Sequence, residues 1–206
     1  MVQQTTNIVI IGIGGQGALT MMEMLALAAE RAEQEVRVLS RVSLARLGSA
    51  GVCHMRLGPA SSPAIPVGEA DILLTLEMSE VLRALPMARR GARAFVNCYR
   101  RLPIAAGVAG VPYPSQEEIA SALAERGVSG LFVPERLPTD PESGEQDRQA
   151  DRVNMIMLGV LCGATELLPR PALEEAIALR LPQCTEQNLR TFDAGWCFAK
   201  KVLQRG

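Results

Sequence analysis

The feature that most restricts what this chain can become is a glycine-rich turn, Gly12-Ile13-Gly14-Gly15-Gln16-Gly17. It lies between the β-branched run Ile8-Val9-Ile10-Ile11 and an Ala/Leu/Met-rich stretch from Ala18 to Arg31. The first run favours an extended strand and the second an apolar helix. A strand that reverses into a helix through glycines uses backbone with φ > 0 and leaves no Cβ in the way of an approaching group. It also aims backbone N–H groups and the positive end of a helix at one point, where negative charge is favoured. Three readings compete for the turn: a dinucleotide site, an adenylate site, or a tight βα turn that serves packing and a partner protein. Gly12, Gly14, Gly15, Gln16 and Gly17 are its candidate ligand-facing residues.

The chain continues with a strand from Glu35 to Leu39, then a basic, small-residue loop from Arg41 to Gly51 that carries Arg41, Ser43, Arg46, Gly48 and Ser49. A third strand, Val52 to Leu57, places His54 and Arg56 on one face and Cys53 and Met55 on the other by its period of two. After a Pro/Ser/Gly loop from Gly58 to Gly68, the apolar run Asp71 to Leu76 predicts a central strand. Glu77 to Arg90 predicts a helix stopped by Gly91, followed by a strand from Ala92 to Cys98. Val108 to Tyr113 is a candidate short strand. Ser115 and Glu118 form a capping box for a helix from Gln116 to Arg126, and Gly130 to Val133 is a further strand. Residues 138–149 are polar and turn-rich, an expected exposed loop. Beyond them 151–206 is helical, with helices over Asp151 to Leu167, Pro171 to Leu181 and Thr185 to Leu203. Strand and helix alternating in this way predict a single α/β domain over 1–206. It is three-layer α/β/α and Rossmann-like, with a mostly parallel sheet and a helical C-terminal section.

Composition agrees: 48% of the residues are hydrophobic but only 3% aromatic, so the core is built from aliphatic side chains, which suits a sheet between helices. A net charge of −1 leaves no electrostatic footprint for nucleic acid or an anionic membrane, and we expect neither as a partner. The N-terminus lacks a basic and apolar leader pattern, and the apolar stretch Met155 to Ala164 is too short to span a bilayer, so a cytoplasmic protein is expected. Cys53, Cys98, Cys162, Cys184 and Cys197 lie far apart with no CxxC pair. That spacing gives no zinc or iron-sulfur ligand set within the chain, and reduced thiols are expected. His54, the only histidine, is either a buried imidazole bonded to backbone or a proton-transfer group. No GxSxG, HExxH or GxxxxGK[ST] motif occurs. The second strand ends in Ser40-Arg41 rather than in the acid that accepts an NAD ribose hydroxyl. A stand-alone NADP- or nucleotide-binding protein therefore stays open as an alternative.

The stretch Asn7 to Gly17, NIVIIGIGGQG, resembles the N-terminus of the gamma-type subunit of thiamine-diphosphate-dependent 2-oxoacid:ferredoxin oxidoreductases, nearest to the indolepyruvate branch, whose beta subunit is its gamma-type component. The resemblance continues at His54-Met55-Arg56, Ala70-Asp71, Phe95-Val96-Asn97, Tyr113-Pro114-Ser115, Arg152-Val153-Asn154-Met155 and Asn188-Leu189-Arg190, and covers essentially the whole chain. It departs where the family has His-Gly-Met-Ala-Gln-Arg-Gly-Gly-Ser and this chain has Val42 to Ala50, with Arg46 at the Gln position and Leu47 at the Arg position. The resemblance implies an enzyme component, inactive alone. It would work beside a larger thiamine-diphosphate-binding subunit in a hetero-oligomer, with ferredoxin as electron acceptor. No cofactor is expected on this chain by itself; thiamine diphosphate, iron-sulfur clusters and coenzyme A belong to the complex. The glycine turn, Arg41, Ser43, Arg46, Gly48, Ser49, His54 and Arg56 are the expected substrate- or cofactor-facing residues. Because of the altered loop, a non-catalytic scaffold derived from the family is a further alternative.

Overall fold

A computed structural model describes residues 4–41, 50–101, 112–135, 137 and 152–204. The strands are β1 (Thr6–Ile13), β2 (Val36–Arg41), β3 (Ala50–Leu57), β4 (Ala70–Thr75), β5 (Ala88–Asn97) and β6 (Ser129–Val133). The helices are α1 (Ala18–Arg31), α2 (Glu80–Ala84), α3 (Gln116–Arg126), α4 (Val153–Thr165), α5 (Arg170–Arg180) and α6 (Thr185–Leu203). The six strands lie in the order β2-β3-β1-β4-β5-β6. β1, β4, β5 and β6 are mutually parallel, while β3 runs antiparallel to both β1 and β2. The eight residues between β2 and β3 are too few for a crossover to a parallel strand, so β3 returns antiparallel beside β2. The sheet is the mostly parallel one expected, with one reversed strand beside β1.

Alternation along the strands sorts the core into two layers. Ile8, Ile10, Met55, Leu74 and Phe95 face α1, α4, α5 and α6 on the front. Val9, Ile11, Leu73, Ala94 and Val96 face α2 and α3 on the back. Cys53 points to the front and His54 to the back, as the period-two reading of β3 requires. α4 is apolar nearly all round and is buried from Val153 to Gly163, apart from Asn154. It packs on α6 through glycines, and a Cβ built on Gly159 would lie 2.0 Å from Phe192 O. Trp196 sits at this seam, its ring 5.9 Å from Phe192, with Arg170 and Lys200 over it.

One predicted element is corrected. The helix expected over Glu77 to Arg90 is α2 alone, followed by a 3-10 turn from Leu85 to Met87, and β5 begins at Ala88. Pro86 lacks the N–H that a continuing α-helix needs, so the chain leaves the helix there. Gly91, read as the helix stop, instead lies within β5 at φ 79°, inside a bulge that shifts the register between Ala70/Ala88 and Ile72/Arg93. The capping box at Ser115 and Glu118 is present as predicted, with both reciprocal hydrogen bonds. The candidate strand from Val108 to Tyr113 lies outside the described residues except for Pro112 and Tyr113, which are not in a strand. The loop at 138–149 also lies outside them.

Candidate functional site

At the carboxyl end of β1 the chain turns at once. Gln16 N–H donates to Ile13 O at 3.1 Å, and Gly15 and Gly17 take φ of 95° and 81°. Gly17 is constrained twice over, since a Cβ there would also lie 2.4 Å from Asn154 Nδ2. Gln16 ties two strands together: its Oε1 accepts from Ile13 N–H at 2.7 Å and its Nε2 donates to Leu76 O at 3.1 Å. β1 and β4 are the strands from which the connections wind to opposite sides, so Gln16 closes the crevice of the topological switch point.

The first turn of α1 holds no acidic residue, and no side chain caps it. α4 repeats the pattern, with Arg152 at its N-cap, no side-chain cap and no acid in its first turn. Asn154, one residue inside α4, touches Gly17 at the start of α1. Two helix N-termini therefore converge at one edge of the sheet, each adding positive potential to the other. Arg152 donates to Gln187 and stays at this edge. Such an arrangement can hold an oxyanion; among the described residues it carries none poised for proton transfer.

The loop following β4 anchors the same edge. Glu77 is 0% exposed and collects four donors. They are the Ser79 hydroxyl at 2.6 Å, Glu80 N–H at 3.1 Å, Arg101 N–H at 3.2 Å and the Tyr113 hydroxyl. Burial, then the Glu77 carboxylate, pushes the Tyr113 hydroxyl's pKa up, so it remains a donor. Arg100 lies over the Tyr113 ring at 5.7 Å. Burial likewise raises the Cys162 and Cys53 thiols, and all five cysteines are free. Among the described residues no group of three His, Cys, Asp or Glu side chains could hold a metal.

The expected site residues divide into three sets. Gly12, Gly14, Gly15, Gln16 and Gly17 form the turn, and Arg41, the last residue of β2, comes to the same edge, since Arg41 pairs with Val52 and Gly51 with Gly12. Ser43, Arg46, Gly48 and Ser49 lie outside the described residues. His54 and Arg56 are not brought to the turn. They pair with Val9 and Asn7, lower on the sheet, and face the back. His54 Nδ1 accepts from Ile65 N–H at 3.1 Å, while Arg56 donates to Asn7 Oδ1 at 2.9 Å and to Ser62 O at 3.1 Å. Both hold the segment after β3 against the sheet. Asn154, a polar residue inside an apolar helix, and Glu77, an acid directly after a central strand, are not among the expected site residues, although both are visible signals in the sequence.

Burial, and then the positive charge of Arg41, hold the His54 pKa below its ordinary value of 6.5. The unfolded chain binds the additional proton first as pH falls. The stability this neutral imidazole contributes is thus complete above about 6.5 and is lost as pH drops through the folded value. Urea unfolding at pH 7.5 and pH 5 should show a smaller loss of stability at pH 5 for His54→Asn than for the native chain. Equal losses would mean that His54 does not titrate in this environment.

The geometry also weighs against a dinucleotide. The strand beside β1 is the reversed β3, so the end of β2 stands two strand spacings away, about 10 Å across the sheet. The residue that would meet a ribose next to the glycine turn is displaced. The fold defines a Rossmann-like α/β chain in which a glycine turn and the start of α4 meet at one edge of the sheet. Residues 7–197 match the model of the pyruvate ferredoxin/flavodoxin oxidoreductase family, and the chain belongs to that family. It is a component of an oxidoreductase complex acting on 2-oxoacids, in a hetero-oligomer with larger subunits. It is 31% identical over 202 residues to indolepyruvate oxidoreductase subunit IorB of Pyrococcus horikoshii, covering 96% of this chain and 97% of the relative. Its fold is similar to pyruvate oxidoreductase subunit PORC of Thermotoga maritima, with a TM-score of 0.65, 21% identity and 94% and 96% of the two chains covered. The keto/oxoacid ferredoxin oxidoreductase gamma subunit of Geobacter sulfurreducens gives a TM-score of 0.63 at 17% identity, covering 94% and 98%. No described helix is long and apolar enough to cross a membrane.

Proposed function

We propose that this chain is the gamma-type subunit of a cytoplasmic 2-oxoacid:ferredoxin oxidoreductase of the indolepyruvate, or aryl-pyruvate, branch, acting as one domain over 1–206. Its five dispersed cysteines do not fit an iron-sulfur cluster, and its glycine turn fits a phosphoryl group better than a redox cofactor. In this reading the larger subunit would hold thiamine diphosphate and iron-sulfur clusters, which would supply the decarboxylation and the electron transfer to ferredoxin. This chain contributes the anion-holding edge: the turn at Gly14 to Gly17, Arg41 and the start of α4 face the substrate or the phosphates of coenzyme A. The observation that carries this reading is the convergence of two uncapped helix N-termini at Gly17 and Asn154.

Reconstitution with the larger subunit tests it. The isolated chain should be inert, and the complex should reduce ferredoxin with indolepyruvate and coenzyme A. Arg152→Gln should raise the KM for coenzyme A several-fold with assembly intact, as expected for one lost charge-assisted contact. Turnover by the lone chain, or tight NADPH binding to it, would overturn the proposal. The altered segment around Arg46 and Leu47 favours one second reading, a non-catalytic scaffold. A complex that assembles and remains inactive with every oxoacid offered would establish that instead.

A further inference from the structure

We propose that Asn97 is the buried donor of this edge and that its side-chain amide binds a phosphoryl oxygen of the ligand held there. The inference rests on the reading of the edge as an anion site. Asn97 ends β5 and is 0% exposed. Its Oδ1 accepts from Tyr99 N–H at 2.8 Å, which fixes the amide orientation and bends the chain out of the strand. Its Nδ2 is buried with no acceptor. A donor removed from water and left unpaired is costly, and natural folds keep few of them without a reason.

Its position supplies the reason. Phe95 belongs to the front core and Val96 to the back, so Asn97 faces the front. The register Thr75/Val96 and Ile11/Thr75 puts Asn97 in one row with Leu76 and Gly12, two strands from the glycine turn. Arg93 Nη1 donates to Ala164 O at 3.2 Å, which seats the end of α4 over Arg93, while Asn154 at its start touches Gly17. α4 therefore runs opposite to β5. Retraced from Ala164 to its first turn, about 16 Å of helix, it arrives over the Asn97 end of the strand. The unpaired Nδ2 is thus on the face and at the end of the sheet where α4 begins, and that first turn adds backbone donors of its own, of which Met155 N–H is taken by Asn154 Oδ1 at 3.0 Å. Water or a neutral carbonyl would leave several of those donors unmatched; an oxyanion with multiple lone pairs serves them together.

The test follows the side-chain amide of Asn97 and the backbone amides of Gly15, Gly17 and Ala18 by NMR of the ¹⁵N-labelled full chain, titrated with inorganic pyrophosphate and separately with pyruvate. The Asn97 amide should shift with pyrophosphate at the same midpoint as the turn amides. Asn97→Ser, which keeps an oxygen for Tyr99 N–H, should weaken pyrophosphate binding about tenfold. If the turn amides shift and Asn97 does not, Asn97 has no part in the site and the anion reading survives without it. Shifts with pyruvate alone would overturn the phosphoryl assignment. No shift at the turn with either probe would overturn the anion reading itself, and the role of Asn97 with it.

Discussion

Replacing Glu77 with leucine is expected to destabilise the protein by about 4 kcal/mol and to lower the melting temperature by roughly 10 °C. The carboxylate is fully buried and accepts from four groups drawn from Ser79, Glu80, Arg101 and Tyr113. Leucine occupies comparable space but accepts nothing, so the donors lose their shared partner at once. Tyr113 and Ser79 are also linked directly, since Ser79 N–H donates to the Tyr113 oxygen at 3.2 Å. The damage therefore spreads to the start of α2 and to the chain leading into α3. Tyr113→Phe removes one of the four donors and leaves the carboxylate with three, so it should cost only about 1–2 kcal/mol. Equilibrium urea unfolding of the two variants checks the ranking. A Glu77→Leu protein as stable as Tyr113→Phe would show that the four bonds do not act together.

The second large effect lies at the crossing of α4 and α6. A Cβ on Gly159 would stand 2.0 Å from Phe192 O, and one on Gly195 would stand 2.1 Å from Ile156 O. Both obstacles are backbone carbonyls of the opposite helix, which cannot rotate aside as a side chain can. Gly159→Ala or Gly195→Ala must push the helices apart and loosen Phe192 and Ile156, both 0% exposed. The expected loss is about 3 kcal/mol for either variant, beyond any gain from the better helix propensity of alanine. Because each substitution opens the same seam, the double variant should cost less than the sum. Trp196 lies within that seam, so its fluorescence should shift in both single variants. Unchanged emission together with native stability would mean that the helices are not in such close contact.

Much of this molecule could be read from local pattern. The strand, glycine turn and helix over 6–31, the capping box at Ser115 and the three C-terminal helices each follow from signals within a dozen residues. The expected helix from Glu77 to Arg90 takes Gly91 as its stop, whereas Pro86 ends it earlier, and the bulge at Gly91 has no signature apart from the glycine itself. The reversal of β3 depends on which strands become neighbours, and no local window contains that information. His54 shows the same limit. The sequence leaves its two readings open, and the hydrogen bond from Ile65 that distinguishes its surroundings comes from a segment with no regular structure. The edge at which Gly17, Glu77, Asn97 and Asn154 gather is assembled from four separate parts of the chain. Whatever signal each carries is local, and only the winding of the sheet gives them a common address.

The reversed strand has one more effect. Because β2 leaves the sheet at Arg41 and β3 enters it at Ala50, and Ala50 pairs with Ile13, the segment between them is both launched and recovered next to the glycine turn. Both ends belong to neighbouring strands of one sheet, so a change in the sequence that joins them need not disturb the layers beneath.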